Sequence, residues 1–229
     1  AIAAIAVEAV EGPDFGRILA TGRLPEIAAA SRRTARALTG FHGCAVGVAD
    51  RRDRSFYTRR AAAAAPAISA IAPQLARAAR RLADWIAQTP APLRPGLAHM
   101  DMKPEHLIVT DDAITLLDLD SVARSDGLYD LAMLEMRIHS ARASGVCDTD
   151  QTDAAIRALQ PAYPDNGTAC RARRHAWLRA CATLEVAKHQ AQSPSPGWCE
   201  RVTAVLNAGC PGADPSPANP ATVACRSSA

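Results

Sequence analysis

Lysine is almost absent from this sequence. Only Lys103 and Lys188 occur, and arginine supplies the rest of the 26 basic residues. This bias, like the abundance of alanine, fits a GC-rich coding sequence rather than a function. Against 23 acidic residues it leaves a formal charge of +3, too weak a field to argue for a nucleic-acid or membrane-surface partner. Aromatics amount to 4%, so the core must be built from Ala, Leu, Ile and Val. The seven cysteines include no C-x-x-C pair, so neither a zinc site nor a disulfide framework is readable. Free thiols in a reducing cytosol are expected instead. No apolar run approaches the roughly 20 residues needed to span a bilayer. Ala1 to Val7 lacks the basic flank of a signal peptide and is followed at once by Glu8. A cytoplasmic location is expected.

What is present is enough for one large domain: 229 residues, 48% of them hydrophobic. Ala1 to Val10 reads as a short buried strand running into a turn. Leu24 to Phe41 is helical, with Pro25 in its first turn and Gly40 or Gly43 to end it. Asp50 to Arg60, with five arginines, reads as a charged, solvated connector. Pro66 to Thr89 has Ile68, Ile71, Leu75, Leu82 and Ile86 at helical spacing and predicts a single helix, ended by Pro90, Pro92 and Pro95. Leu107–Val109 and Ile114–Leu117, separated by Thr110 to Ala113, predict a hairpin. Helices are expected near 128–143, 150–160, 170–190 and 197–207. The proline-rich stretch from Ala208 to Ala229 reads as a flexible tail. The fold class expected is α+β, predominantly α-helical, with one small β-hairpin near the middle.

The residues that carry chemistry lie between His99 and Ala132, in HMDMKPEHLIVTDDAITLLDLDSVARSDGLYDLA. Asp101 stands in a loop before the first strand of the hairpin, and Asp118 at the end of the second. A hairpin reverses the chain, so both carboxylates can meet at one end of it. One can then orient or deprotonate a hydroxyl while the other holds a divalent cation, the division of labour that phosphoryl transfer needs. Lys103 adds positive charge close to Asp101. The remaining histidines, His42, His139, His175 and His189, read as isolated surface or core residues.

The pattern H-x-D-x-K-P-E, at His99 to Glu105, resembles the catalytic loop of the protein-kinase superfamily. Leu117 to Asp120 (LDLD) and Ser125 to Ala132 (SDGLYDLA) are similar to the second acidic motif and the G-D-P-x-x-D-L-A segment of aminoglycoside phosphotransferases and choline-type kinases. The resemblance covers roughly residues 5 to 207. It implies a kinase-like C-lobe, with ATP or GTP as phosphoryl donor, Mg²⁺, and a small-molecule hydroxyl as acceptor. It further implies Asp101 as catalytic base assisted by Lys103, Asp118 as metal ligand, and Asp120 as an accessory acid near the metal. His99 and Asp130 would support the loop.

Two departures from the family pattern stand out. His106 occupies the position where the family places a metal-binding Asn, and imidazole suits softer metals than magnesium. Moreover, no lysine and no glycine-rich loop precede the motif, so a phosphate-covering N-lobe is not readable. Ile5 to Leu19 resembles the last N-lobe strand, an adenine-binding hinge at Glu8 and Val10, and the start of the first C-lobe helix. The implied organisation is 1–12 as the strand and hinge remnant, 13–207 as the C-lobe and 208–229 as the tail, with any N-lobe supplied separately. A catalytically inactive, pseudokinase-type binding module is the alternative reading, and a metal-dependent hydrolase built on Asp101, His106 and Asp118 is a third. Aminoglycosides are polycations and call for an acidic pocket, whereas Asp148 to Glu200 is charge-balanced and carries a basic cluster at Arg171, Arg173 and Arg174. Antibiotic resistance is therefore not supported.

Overall fold

A computed structural model describes residues 10–164, 168–193 and 195–210. Glu8 and nearly all of the expected first strand lie outside the described residues, and so does the chain beyond Cys210. Among the described residues the chain forms eight α-helices and four three-residue strands. In order these are α1 (Phe15–Thr21), α2 (Leu24–His42), α3 (Arg54–Ile71), α4 (Ala76–Gln88), β1 (Gly96–Ala98), β2 (Leu107–Val109), β3 (Ile114–Leu116), β4 (Ala123–Ser125), α5 (Leu128–Ala143), α6 (Thr149–Ala162), α7 (Thr168–Gln192) and α8 (Trp198–Gly209). No helix among them is long and apolar enough to cross a membrane.

Several helix starts are set by side chains that satisfy free N–H groups of the first turn. Asp14 accepts from Arg17 N at 2.8 Å, Asp53 from Phe56 N at 3.1 Å, and Asp148 from Gln151 N at 2.8 Å. The cap at Asp53 corrects one expectation: Arg54 to Arg60 is not a connector but the first two turns of α3. The Ala61–Ala65 run, the strongest helix former available, carries α3 through Pro66, which sits inside the helix rather than at its start. Pro73 then disfavours helical backbone at Ala72, whose φ of −127° and ψ of 77° break the expected 66–89 helix in two. At the other end, Ala208 and Gly209 belong to α8 rather than to a tail.

All eight helices contribute to one buried core, in which α3, α4, α5, α7 and α8 pack on one another and α2 packs on α6. Trp177 of α7 is fully buried and donates its indole N–H to Ile86 O of α4 at 2.9 Å. Tyr57 packs between Trp177 and Tyr129, at 5.7 and 4.9 Å between ring centroids. Its hydroxyl lies 2.5 Å from Ser125 Oγ, and because Ser125 donates to Arg52 O, Tyr57 is the donor in that contact. Ser125 ends β4, which pairs antiparallel with β1 in the register Gly96–Ser125, Leu97–Arg124, Ala98–Ala123. The second antiparallel pair is the expected hairpin of β2 and β3, with Leu107 opposite Leu116 and Val109 opposite Ile114. Val109 N–H donates to Pro13 O at 2.9 Å, and the Arg33 guanidinium caps the Thr110 and Asp111 carbonyls at 2.6 and 2.7 Å. The hairpin is thereby tied to the start of α1 and to α2.

Glu135 of α5 is buried and joins three helices. His175 Nε2 lies 3.3 Å away, Arg179 Nε 3.9 Å away, and Gln160 donates to it at 2.9 Å. Burial would raise its carboxyl, but the charge and hydrogen bond of His175, then Arg179, prevail and hold it below the usual range. One turn further along α5, burial first and then the Arg179 and Arg142 charges push His139 from 6.5 down to about 4. Below the ordinary histidine range the unfolded chain therefore takes up a proton that the folded chain refuses, and stability falls with pH. Relative to neutral pH the loss is expected to reach about 2 kcal/mol near pH 5, read as a lower urea midpoint. His139→Gln is expected to remove most of that loss.

Candidate active site

Of the expected site residues, His99, Asp101, Lys103, His106, Asp118 and Asp130 gather where the two strand pairs meet the start of α5. After β1 the chain turns at Met100, with φ 70°, and after β3 at Asp118, with φ 58°. These are the only non-glycine residues with positive φ among the described residues, a backbone state that persists only where surrounding contacts enforce it. At Met100 the enforcing group is Asp130, in the first turn of α5 and fully buried. Its Oδ2 accepts from His99 N at 2.6 Å and its Oδ1 from Met100 N at 2.8 Å. A third contact comes from α2, where His42 Nε2 lies 2.8 Å from Asp130 Oδ2 and Nδ1 lies 2.7 Å from the Tyr163 hydroxyl.

On the hairpin side, Leu117 N–H donates to His106 O at 2.9 Å, closing the end of the hairpin, and His99 Nε2 lies 2.8 Å from Leu117 O. These bonds bring Asp118 beside His106, with Nε2 to Oδ2 at 3.4 Å. Asp101, His106 and Asp118 each offer one ligand atom, and these atoms all lie within 4.8 Å of one another. Lys103 Nζ sits 2.7 Å from Asp101 Oδ2. Burial, then the Lys103 charge, depresses the His106 imidazole below its usual value against the opposing pull of Asp118, which favours the neutral ring that can act as a ligand. Two carboxylates and a neutral imidazole fit a divalent cation, though the nitrogen makes the set softer than the all-oxygen shell magnesium prefers. Asp120 is exposed in the 3₁₀ turn after Asp118 and is not part of this group. Val10 is exposed at the start of the described chain, away from any regular element.

A cleft of about 380 Å³ opens beside Asp101, lined by Lys103, by Phe56 and Arg60 of α3, by Met133 and Arg137 of α5, and by Glu185 and His189 of α7.

The family model described as "phosphotransferase enzyme family" matches residues 2–164. The chain belongs to that phosphotransferase family. A search of curated proteins gives no match. Among solved structures, the chain is similar to an aminoglycoside-3'-phosphotransferase of type VIII (16% identity, TM-score 0.52, 76% of this chain and 66% of that one). It is likewise similar to an ethanolamine kinase of Plasmodium vivax (12%, 0.54, 90% and 64%) and a choline kinase of Cryptosporidium parvum Iowa II (9%, 0.56, 88% and 68%). At such identities the likeness concerns the fold, a partial kinase-like one, and the chain spans about two thirds of each of those proteins.

Two parts of this phosphotransferase-family site had no visible signal in the sequence. His42 reads as an isolated histidine, because its partners Asp130 and Tyr163 stand 88 and 121 residues away. Asp126 accepts from Arg94 N at 2.9 Å and from Leu128 N at 3.1 Å, and pairs with buried Arg174 at 2.7 Å, fixing the start of α5. Gly127 is required next to it: a Cβ there would lie 2.4 Å from His42 Cγ and Nδ1. Gly127→Ala is therefore expected to push the imidazole off Asp130. Asp130→Ala would strand two buried N–H groups and is expected to destabilise the fold by about 3 kcal/mol, read as a lower urea midpoint at unchanged m.

Proposed function

We propose that this chain takes part in moving the γ-phosphoryl group of ATP or GTP to a hydroxyl of a small molecule. The observation that carries the reading is the gathering of His106 and Asp118 within 4.8 Å of Asp101, which itself lines the cleft, in a chain of the phosphotransferase family. An acceptor in the cleft presents its hydroxyl to Asp101. The hydroxyl oxygen forms a bond to the γ-phosphorus, the bond from that phosphorus to the bridging oxygen breaks, and the hydroxyl proton passes to Asp101 as the nucleoside diphosphate leaves. Lys103 holds the Asp101 carboxylate in place and adds positive charge beside the transferring group. Asp118 and His106 would hold the cation, with exposed Asp120 adding negative charge nearby. When bound, the cation neutralises charge on the phosphates. His99 and Asp130 fix the loop from behind.

In this reading residues 13 to about 210 hold acceptor and metal. A separate lobe covers the nucleotide, meeting this one at a hinge that includes Glu8 and Val10.

Transfer is followed by ³¹P NMR, and nucleotide binding by calorimetry, with Mg²⁺ or Mn²⁺ present. Asp101→Asn is expected to slow transfer by about 10²- to 10⁴-fold while nucleotide still binds. Asp118→Asn is expected to weaken metal-dependent nucleotide binding at least about tenfold. His106→Asn should move the metal preference from Mn²⁺ toward Mg²⁺. Transfer that survives Asp101→Asn, or binding indifferent to Asp118, would overturn the reading. Hydrolysis of a phosphate ester without acceptor, lost in Asp118→Asn, would instead mark a metal-dependent hydrolase, which the same three donors allow.

A further inference from the structure

The cleft beside Asp101 is strongly biased in charge. Four fixed cations line it, Arg52, Arg60, Lys103 and Arg137, against two carboxylates, Asp101 and Glu185. Both carboxylates are engaged by cations: Asp101 by Lys103 at 2.7 Å, and Glu185 by Arg60 at 2.5 Å and by Lys188 at 3.0 Å. Arg52 and Arg60 stand over the Phe56 ring at 4.5 and 5.3 Å, which fixes two guanidinium groups along one wall. Arg52 also pairs with Asp50, outside the cleft. Arg137 is different. It has no ion-pair partner among the described residues, and its Nε, like that of Arg52, is buried with no hydrogen-bond partner there. Its charge reaches His189 on the facing wall, which burial first and then Arg137 hold below the usual histidine range. A half-buried guanidinium without a counter-charge is costly unless an anion arrives to meet it, and its planar fork suits a carboxylate or a phosphate.

We propose that the acceptor taken by this cleft carries an anionic group, which Arg137 binds with help from Arg52, while its hydroxyl reaches Asp101. The acceptor class is therefore a hydroxy acid or a phosphorylated polyol, and a polycationic acceptor is disfavoured by the same excess of two positive charges. This rests on the phosphotransferase reading for the role of Asp101, but the charge preference can be measured without it.

Calorimetric titration of the full chain, without nucleotide or metal, compares four six-carbon probes: gluconate, sorbitol 6-phosphate, sorbitol and glucamine. At least one of the two anions is expected to bind about tenfold or more tightly than sorbitol, with glucamine weakest. Which anion binds better distinguishes a carboxylate from a phosphate site. Arg137→Gln is expected to bring anion affinity down toward that of sorbitol, and Arg137→Lys to retain part of it. Arg52→Gln, at a half-exposed position, repeats the test if the Arg137 variants fail to fold. Equal affinity for all four probes, preference for glucamine, or no binding in the millimolar range overturns the proposal. Because no nucleotide is present, an anion preference leaves this inference standing whatever the Asp101→Asn and Asp118→Asn variants show, and transfer that survives Asp101→Asn would sink only the phosphotransferase reading. Transfer to neutral or cationic polyols with no anion preference would do the reverse.

Discussion

The buried carboxylate of Asp130 is the contact on which the arrangement of the site depends. It sits in the first turn of α5, where the helix dipole favours negative charge, and it is entirely enclosed. Enclosure makes an unpaired carboxylate very costly, so its three donors are obligatory: the backbone N–H groups of His99 and Met100, and the His42 ring. Each donor belongs to a different constraint. His99 follows β1 and reaches the hairpin through Leu117, Met100 forces the turn that presents Asp101, and His42 ties in α2 and, through Tyr163, the end of α6. A single buried carboxylate thus sets the relative position of a helical core, the loop that carries Asp101 and a hairpin.

How much of this was legible in the sequence depended on the range of the signal. The four helices from Leu128 to Gly209 and the hairpin at 107–116 follow from local periodicity and turn residues, and their observed bounds lie within about two residues of the expected ones at almost every end. The β1–β4 pair did not show, because three-residue strands offer no alternation and Gly96 lies just beyond a run of prolines. The charge density of Asp50 to Arg60 hides the Asp53 cap that starts α3, and at its end the apolar stripe runs on across the backbone break that Pro73 imposes. Within the site, the approach of Asp101 to Asp118 was readable as a consequence of chain reversal. The buried supports were not, since His42, Asp126 and Arg174 are defined by partners tens of residues away and carry no local pattern.

The arginine bias has a structural use that composition alone does not suggest. Guanidinium groups cap carbonyls left free at helix ends: Arg54 on Ala87 and Thr89 after α4, Arg171 on Gln160 and Tyr163 after α6, and Arg179 on Ala208 at the end of α8. The planar Nη2 of Arg54 and that of Arg171 each reach two carbonyls at once. Of the basic cluster at 171–174, Arg171 is spent on such carbonyls and Arg174 on Asp126, and neither lines the cleft. The cations that face the cleft come instead from Lys103, from the α3 region and from Arg137 of α5. A basic cluster counted along the sequence is thus no guide to which cations face the cleft.

The two left-handed residues show how the loop of Asp101 and the end of the hairpin are held in place. An ordinary side chain in that backbone state costs about 1–3 kcal/mol, so neither Met100 nor Asp118 would stay there unaided. At Met100 the buried Asp130 supplies the restraint. At Asp118 it comes from the preceding residue, whose N–H is held by His106 O and whose carbonyl faces the His99 ring. The kink after β3 turns Asp118 out of the strand, so that its carboxylate faces His106 and Asp101. His99 takes part in both restraints, through its backbone N–H to Asp130 and through its ring to Leu117. The loop that carries Asp101 and the hairpin end that carries Asp118 therefore cannot drift independently, because one buried imidazole stands between them.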